Sequence, residues 1–500
     1  MANPIGRPMP GQTLAMSGPN RKSGSNAFPS HWRAGLALAV VLCTAVMGFS
    51  EGQRGSPLVA AATLAALVVI ARARCRDWLY PPVVQAALWA FLCLWFWLTQ
   101  DHFYSVGTTT WYVILMGAAS FSLGGWLTTR GHKPALARND VARGSLPSGF
   151  GRAILLALSV GILPFFLMAA FSTLSSPGAY LSLIADVRAA SSREILFGRL
   201  YIGFWWALTS LGVTFLTYLR RPWKKASWFF LALAALVALA YAVPMGGRNS
   251  ILFVLVILCA IPLVLRRVRP SRIAAGFAVS VALIFVSYAY LAGQMGLNVR
   301  SPSLADSKTV TDTASLYMVG PIVALSSVRP ASAESSGLQT FRIVYLWLSY
   351  IGLNVHVKPI VQAFVPVSPT GWTNIYTVYH SYYLEFGTVG VVLCQFIFGI
   401  GHGILYRRAT MARPKAMWIM LYVISLYPLL MQGTTDMYLP NVSNWINFCI
   451  ICVIAFRLFR AKSPYRVTRV TGISTRSPRG LAGFSGDAIP EGSGSLDRAT

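Results

Sequence analysis

The sequence is short of charged residues, and of acidic residues above all. Only 11% of its 500 residues are charged, against roughly 25% in a typical soluble domain, and only 14 are Asp or Glu. Hydrophobic residues make up 55% of the chain, and the mean hydropathy is +0.58. This balance excludes a soluble globular protein, a disordered chain and a disulfide-bonded scaffold. It predicts a polytopic membrane protein.

The motifs of nucleotide and metal chemistry are also missing. The sequence has no P-loop, no H-E-x-x-H zinc motif, no Rossmann glycine pattern and no D-x-D pair that could hold a metal on a nucleotide sugar. Of the seven cysteines, six lie in apolar runs and Cys75 lies in a basic loop, so no disulfide framework is predicted. We therefore expect neither a metal nor a cofactor. Any enzyme here would take its donor from the membrane, as a lipid-linked phosphate.

Twelve apolar runs approach the ~20 residues that a helix needs to cross a bilayer. They cover residues 34–50, 56–71, 82–100, 106–128, 153–174, 200–219, 226–244, 250–265, 273–292, 386–406, 416–432 and 445–459. If the runs alternate in direction from a cytoplasmic N-terminus, every cytoplasmic loop is basic, as the positive-inside rule requires. The formal net charge of +28 is then a signal of topology and needs no nucleic acid to explain it.

The ends of the chain differ from its middle. Segments 1–30 and 461–500 are rich in Gly and Ser, and they are predicted to be disordered cytoplasmic tails on either side of a membrane domain at 31–460. We predict an all-α polytopic membrane protein with 12 to 14 transmembrane helices. Both termini would be cytoplasmic, and a large periplasmic loop would precede the third-last span.

Two predicted outer segments, 175–199 and 293–385, are too long to be simple connectors. The second contains two apolar stretches, 314–328 and 343–357, which are short for spans and more typical of re-entrant or interfacial helices. If both stretches crossed the membrane, the number of spans would rise from twelve to fourteen and the termini would keep their side.

The segment from Pro244 to Ser250 is predicted to form a tight turn on the outer side. The pair Gly246 and Gly247 would let the backbone approach a ligand or a neighbouring helix closely, and Asn249 or Ser250 could cap the next helix. Arg248 would then stand at a helix N-terminus, which disfavours a cation unless an anion sits with it. The pattern predicts a phosphate site. The alternative is an arginine that reaches lipid headgroups.

A second group of cations lies on the same predicted side of the membrane. Cations are scarce on this side, ten in all, and three of them, Arg188, Arg193 and Arg199, fall in the segment 175–199. Together with Arg248 they could hold a pyrophosphate through bidentate hydrogen bonds. The alternative is headgroup binding, with partial neutralisation by acidic residues of the same segment.

A third cluster leads into the third-last span. It combines aromatic, amide, imidazole and carboxyl side chains within a few turns of chain, namely Asn374, Tyr376, Tyr379, His380, Tyr382, Tyr383 and Glu385. Aromatic faces stack on sugar rings, amides and carboxylates bind sugar hydroxyls, and His380 or Glu385 could remove a proton from an attacking hydroxyl. An aromatic interface belt is the alternative, but a belt alone does not call for His, Asn and Glu together.

Three weaker features complete the set. Gly399 and Gly403 have the small-x-x-x-small spacing that suits close helix packing. His402, near the inner end of the same run, is interpreted as structural. Asp436 could bind a hydroxyl or could be a solvated loop acid.

These residues resemble the O-antigen polymerase (Wzy-type) family, the enzymes that polymerise oligosaccharide repeat units of bacterial surface polysaccharides. The resemblance rests on two motifs and on topology over most of residues 30–460. The motifs are Gly246-Gly247-Arg248-Asn249-Ser250 before an apolar run, and Asn374-Ile375-Tyr376-Thr377 followed by Tyr382-Tyr383-Leu384-Glu385-Phe386-Gly387-x-x-Gly390. The family often has Asp where this chain has Glu385.

The resemblance implies a GT-C-like glycosyltransferase that needs no metal and acts at the periplasmic face of the bacterial inner membrane. It would move a growing glycan from undecaprenyl pyrophosphate onto the end sugar of a new lipid-linked repeat unit. Arg248, with Arg188 or Arg193, would hold the leaving pyrophosphate, and His380 or Glu385 would orient or deprotonate the acceptor hydroxyl. Implied partners are a chain-length regulator and a flippase of the same pathway, with no nucleic acid.

Two other functions stay open at this point. An O-antigen ligase, which passes finished glycan to another acceptor, shares the topology and the long outer loop. A flippase or transporter of lipid-linked glycans would have charged residues within its spans and inverted repeats. The spans of this chain carry almost no charge, and no repeat is evident.

Overall fold

The computed structural model describes residues 56–132, 134, 141, 145–171, 198–220, 225–244, 248–266, 276, 310–329, 337–355, 357, 362–369 and 371–459. Both predicted tails, the apolar run 34–50 and nearly all of the run 273–292 lie outside these residues. Four of the predicted site residues also lie outside them, namely Arg188, Arg193, Gly246 and Gly247.

Twelve α-helices make up most of the described part of the chain. They are α1 (Ser56–Cys75), α2 (Pro81–Thr99), α3 (Thr108–Thr128), α4 (Gly149–Phe171), α5 (Ile202–Arg220), α6 (Lys225–Ala242), α7 (Arg248–Val264), α8 (Val310–Ser326), α9 (Arg342–Tyr350), α10 (His380–Ala409), α11 (Ala416–Leu430) and α12 (Val442–Val453). Short 3-10 turns at Gln100–His102 and Gly198–Tyr201 and a π-turn at Ile454–Leu458 extend three of them.

Ten of the twelve predicted apolar runs coincide with helices, and the other two are the runs outside the described residues. Six helices are long and apolar enough to cross a membrane: α1, α2 with its 3-10 extension, α3, α4, α5 and α10. The remaining apolar helices are shorter. The described chain is therefore a mostly helical protein with membrane-spanning candidates, as the composition predicts.

One end of the helix bundle, here called the basic end, consists of residues 72–80, 129–132 and 407–416. Tyr406 donates a hydrogen bond of 2.8 Å to Asp77, which also forms a 3.1 Å ion pair with Arg266 just after α7. His132 and Thr410 are hydrogen-bonded at 2.8 Å. The described parts of four predicted cytoplasmic loops thus lie together.

The opposite end, here called the loop end, consists of residues 100–107, 362–369, 371–380 and 431–441. The Tyr104 amide donates to the Val367 carbonyl at 3.0 Å, and the Val378 amide donates to the Gln432 carbonyl at 2.8 Å. These contacts join segments that the topology places outside. The predicted cytoplasmic loops therefore meet at one end of the bundle, and the predicted outer loops meet at the other.

The long segment 293–385 is partly folded at the loop end. Its first apolar stretch forms α8, whose Ser315 accepts a 3.2 Å hydrogen bond from the Trp95 indole at the outer part of α2. Its second forms α9, which has only nine residues and is about 14 Å long at 1.5 Å per residue. An α-helix of that length cannot cross a hydrocarbon core of about 30 Å. The stretch 343–357 is therefore not a transmembrane helix.

A two-residue antiparallel ribbon also lies in this segment and was not predicted. Val365–Pro366 pairs with Trp372–Thr373, with Val365 opposite Thr373. Its turn is closed by a 2.8 Å bond from the Val367 amide to the Gly371 carbonyl. The ribbon packs on α8, where Gly320 approaches Thr373.

Helix α10 begins at His380, six residues earlier than the predicted span, so the end of the predicted loop is helical. At Gly387 the backbone has φ 61° and ψ −157°, which divides α10 into two helical pieces. Only glycine adopts that conformation readily. This explains why glycine occupies the last position of the Tyr-Tyr-Leu-Glu-Phe-Gly motif: it allows the chain to bend where the aromatic cluster meets the span.

Helices α3 and α10 cross at the very short distance that glycines permit. A Cβ atom on Gly399 would overlap the Phe121 carbonyl group, and one on Gly124 would overlap the Phe396 carbonyl oxygen. At Gly403 a Cβ would overlap the Thr128 hydroxyl. The prediction that Gly399 and Gly403 serve close helix packing is confirmed.

Candidate functional site

The segment predicted to bind sugars is folded against the loop end of the bundle. Tyr379 is fully buried, and its ring stacks on Trp89 of α2 with centroids 4.8 Å apart and an angle of 18° between the planes. The ring also lies against Gly117 of α3, where a Cβ would come within 2.6 Å of it. Tyr379 therefore fixes the segment to two helices, and its own ring is not open to a ligand.

His380 is the first residue of α10 and lies next to Tyr376. The two rings have centroids 4.1 Å apart, and the Tyr376 hydroxyl donates a 3.1 Å hydrogen bond to the Ala363 carbonyl. His380 is buried, with only 7% of its surface exposed. Burial raises the pKa of Tyr376. A phenol with a raised pKa stays neutral and supports the imidazole by packing.

Glu385 is buried, and both of its carboxylate oxygens are already engaged. Oε1 accepts a hydrogen bond of 2.6 Å from the Gln339 amide, and Oε2 accepts one of 2.9 Å from the Thr340 amide. Both donors belong to the turn directly before α9. Anionic acceptors bound by two backbone amides form strong, charge-assisted hydrogen bonds. Glu385 therefore connects α10 to the start of α9.

Asn374 and Tyr383 are half-buried at the same end. The Tyr383 amide donates to the Tyr379 carbonyl at 2.8 Å as part of the first turn of α10. Asn374 and Tyr383 thus keep some exposed surface, whereas His380, Tyr379 and Tyr382 are buried. The structure divides the predicted cluster into a buried part that anchors it and a more accessible part.

Of the two interpretations of Asp436, the structure contradicts the solvated loop acid. It is half-buried as a residue, but its Oδ2 atom is buried and forms no hydrogen bond to the described residues. Its Oδ1 atom accepts a 2.9 Å bond from the Tyr438 amide. Burial raises the pKa of Asp436 to about 7, an increase that the Tyr382 hydroxyl and the Tyr438 amide partly offset. Asp436 is thus not a solvated acid.

A polar network inside the bundle was not predicted. Gln432 accepts hydrogen bonds from Gln85 at 3.0 Å and from Trp89 at 3.1 Å, and it donates to the Tyr438 hydroxyl at 3.2 Å. The same hydroxyl lies 3.0 Å from Nε2 of His402. A buried polar group needs such partners. The structural interpretation of His402 is therefore confirmed. The feature of the sequence that could have indicated this network is a glutamine within an apolar run.

Arg248 is the first residue of α7 and so lies at a helix N-terminus. Asn249 and Ser250 follow it in the first turn of α7. Residue 266, just beyond the last turn of α7, contacts Asp77 at the basic end, and α7 has 17 residues, a length of about 25 Å. Arg248 therefore begins α7 at the loop end.

The described residues contain no group of three or more His, Cys, Asp or Glu side chains that could hold a metal ion. A comparison of the chain with protein-family models, with curated proteins and with solved structures finds no match.

Proposed function

We propose that this protein is a repeat-unit polymerase of a bacterial surface polysaccharide, an O-antigen, capsule or exopolysaccharide. It would join oligosaccharides carried on undecaprenyl pyrophosphate. The proposal places the chain in the bacterial inner membrane, with the basic end in the cytoplasm by the positive-inside rule. The loop end would then face the periplasm. The chain-length regulator and the flippase of the same pathway would be its partners.

One observation carries the proposal. The start of α7 at Arg248 and the aromatic segment around His380 lie at the same end of an apolar bundle, opposite the basic end. The two motifs are separated by more than a hundred residues and share this end only because of the fold. A lipid-linked donor needs a site for an anionic lipid phosphate and a site for sugars on the same side of the membrane. The motif resemblance supplies the reaction.

In the proposed reaction an acceptor hydroxyl on the new repeat unit attacks the anomeric carbon of the growing glycan. A glycosidic bond forms, the bond from the anomeric carbon to the phosphate oxygen breaks, and undecaprenyl pyrophosphate leaves. Arg248, with Arg188 or Arg193, would stabilise the charge that develops on the pyrophosphate. The helix N-terminus of α7 would add its partial positive charge. The hydroxyl proton would pass to a side chain and then to solvent.

The contacts of the two candidate proton acceptors support His380 over Glu385. Both Glu385 oxygens accept backbone amides, so this carboxylate is already engaged in holding the turn before α9. His380 is as buried as Glu385, but its ring packs against Tyr376 and lies outside the two hydrogen bonds that hold the Glu385 carboxylate. Asn374, Tyr376 and Tyr383 would bind sugars around it, while Tyr379 and Tyr382 would hold the segment in place.

The test is the length of glycan on the lipid carrier in cells that lack this protein. We expect single repeat units, with polymer restored by the wild-type gene and by Arg413→Ala but not by Arg248→Ala. Arg413 is an exposed arginine at the basic end, which makes it a matched control. Long polymer that stays on the carrier would indicate a ligase. Single units held at the cytoplasmic face would indicate a flippase, and either result would refute the polymerase.

A further inference from the structure

Helix α9 presents an apolar face that nothing in the described chain covers. Val344, Trp347 and Tyr350, spaced three residues apart on one side, are 45%, 56% and 77% exposed. Ile351 and Leu353, which follow the helix, are also exposed. Residues 343–355 include no charged side chain. Apolar patches of this kind mark sites that contact a membrane or another molecule.

This face continues into the exposed side of α10. Phe341, directly before α9, meets Phe386 edge to face, with ring centroids 6.1 Å apart. From Phe386 an exposed apolar stripe runs along α10 through Val389, Leu393 and Ile397. Those residues lie on one face of a helix long and apolar enough to span a membrane. The surface of α9 is therefore an extension of a surface suited to lipid.

The composition of the α9 face points to the interface of the bilayer, where lipid headgroups meet the hydrocarbon. Trp and Tyr concentrate there because they join an apolar ring to a polar group. A helix of about 14 Å cannot span the core, but it can lie parallel to the membrane plane. A partner protein would fit less well, because the face merges with the lipid-suited stripe of α10.

Glu385 fixes the position of α9 relative to α10. It precedes the bend at Gly387 by two residues, and its carboxylate accepts the amides of Gln339 and Thr340 in the turn before α9. The turn is also closed by a 2.9 Å bond from the Phe341 amide to the Gly337 carbonyl. A negative group at the start of a helix is favoured by the helix dipole. No other acid among the described residues bonds to this turn.

We propose that α9 is an interfacial helix whose Val344, Trp347 and Tyr350 face lies in the headgroup region of the outer leaflet, and that Glu385 is the positioning residue that holds it there. The proposal assigns Glu385 to membrane architecture and leaves proton transfer to other groups. It does not depend on any glycan chemistry, so it can fail or hold independently of the polymerase function.

The experiment measures the depth of position 347 in the full-length protein, reconstituted in vesicles of phosphatidylethanolamine and phosphatidylglycerol. An environment-sensitive fluorescent amino acid replaces Trp347, and nitroxide lipids labelled near the headgroup or deep in the chain quench it. Ser105, exposed and polar at the loop end, is the water-facing control position, and Ile397 on α10 is the deep control position. We expect position 347 to be quenched by shallow nitroxides much more than position 105, and by deep nitroxides less than position 397.

The same measurement in Glu385→Gln tests the positioning role. Gln keeps one acceptor oxygen but presents an NH2 donor to the other backbone amide, so one of the two hydrogen bonds is lost and shallow quenching at 347 should fall toward the level of position 105. Position 397 should keep its deep quenching, which shows that the bundle is intact. Glu385→Asp keeps the charge at shorter reach and should give an intermediate loss.

Three results would overturn the proposal. Absence of quenching at 347 in the wild type would mean that protein or water covers the face. Quenching at 347 as deep as at 397 would mean that α9 is embedded in the core. Unchanged quenching at 347 in both Glu385 variants would remove the positioning role of that residue.

Discussion

The crossing of α3 and α10 gives a sharp prediction because two glycines of α10, two residues apart, differ completely in their surroundings. A Cβ on Gly399 would lie 2.8 Å from the Phe121 carbonyl carbon and closer still to its oxygen, whereas a Cβ on Gly401 would have nothing within 4 Å. The obstacle at Gly399 is backbone, which cannot change rotamer. Gly399→Ala must therefore push the helices apart, and we expect a cost of about 3 kcal/mol, the upper part of the range for overpacking.

Gly401→Ala is the matched control, because it adds the same methyl group to the same helix. It should be neutral or stabilise by up to about 1 kcal/mol through helix propensity. The assay is thermal unfolding in detergent, followed by the fraction that elutes as a single folded species. We expect the midpoint of Gly399→Ala to lie below that of Gly401→Ala by roughly 3–6 °C. Equal midpoints would show that α3 and α10 do not cross at these glycines.

Three further predictions use the same unfolding assay. Gln432→Leu should lower stability by about 2 kcal/mol, because it leaves the buried indole of Trp89 without its acceptor; a neutral result would contradict the network. Asp77→Ala should cost a similar amount, about 2 kcal/mol, since it strands the Arg266 guanidinium at the basic end, and Arg266→Ala in the same background should cost little more. Burial raises the pKa of Asp436 from 3.8 to about 7, so the folded state retains a proton that the unfolded state releases, and wild-type stability should decline as pH rises through this window. Asp436→Asn should abolish that decline, and parallel pH profiles for the two proteins would refute the burial of this acid.

The helices and their ends were accessible from the sequence because both depend on local patterns. An apolar run of sufficient length identifies a helix wherever it lies, and ten runs did so here. The side of each basic loop can be predicted from charge alone, without knowing how the helices pack. Asp77, Arg266 and Tyr406 do meet at one end of the bundle. The spacing of Gly399 and Gly403 likewise predicts a close helix crossing from the sequence alone.

The internal details of the site were not accessible, because they depend on partners far apart in the chain. Glu385 could be recognised as chemically capable, but its acceptance of two amides from the turn before α9 depends on a contact across about 45 residues. Gln85 and Gln432 are separated by 347 residues and meet in the bundle core. A single glutamine in an apolar run gives no indication of its partner. The sequence identified the residue types of the site, but only the fold shows which of them anchor the segment and which stay accessible.

The most direct test of the proposed function uses the purified protein in proteoliposomes with a synthetic repeat unit on undecaprenyl pyrophosphate. The proposal predicts a ladder of glycans on the carrier, with one undecaprenyl pyrophosphate released for each unit joined. It also predicts that Arg248→Ala abolishes the ladder while Arg413→Ala retains it. Intact single units after prolonged incubation with wild-type protein that is folded, correctly oriented and accessible to substrate would contradict the polymerase account.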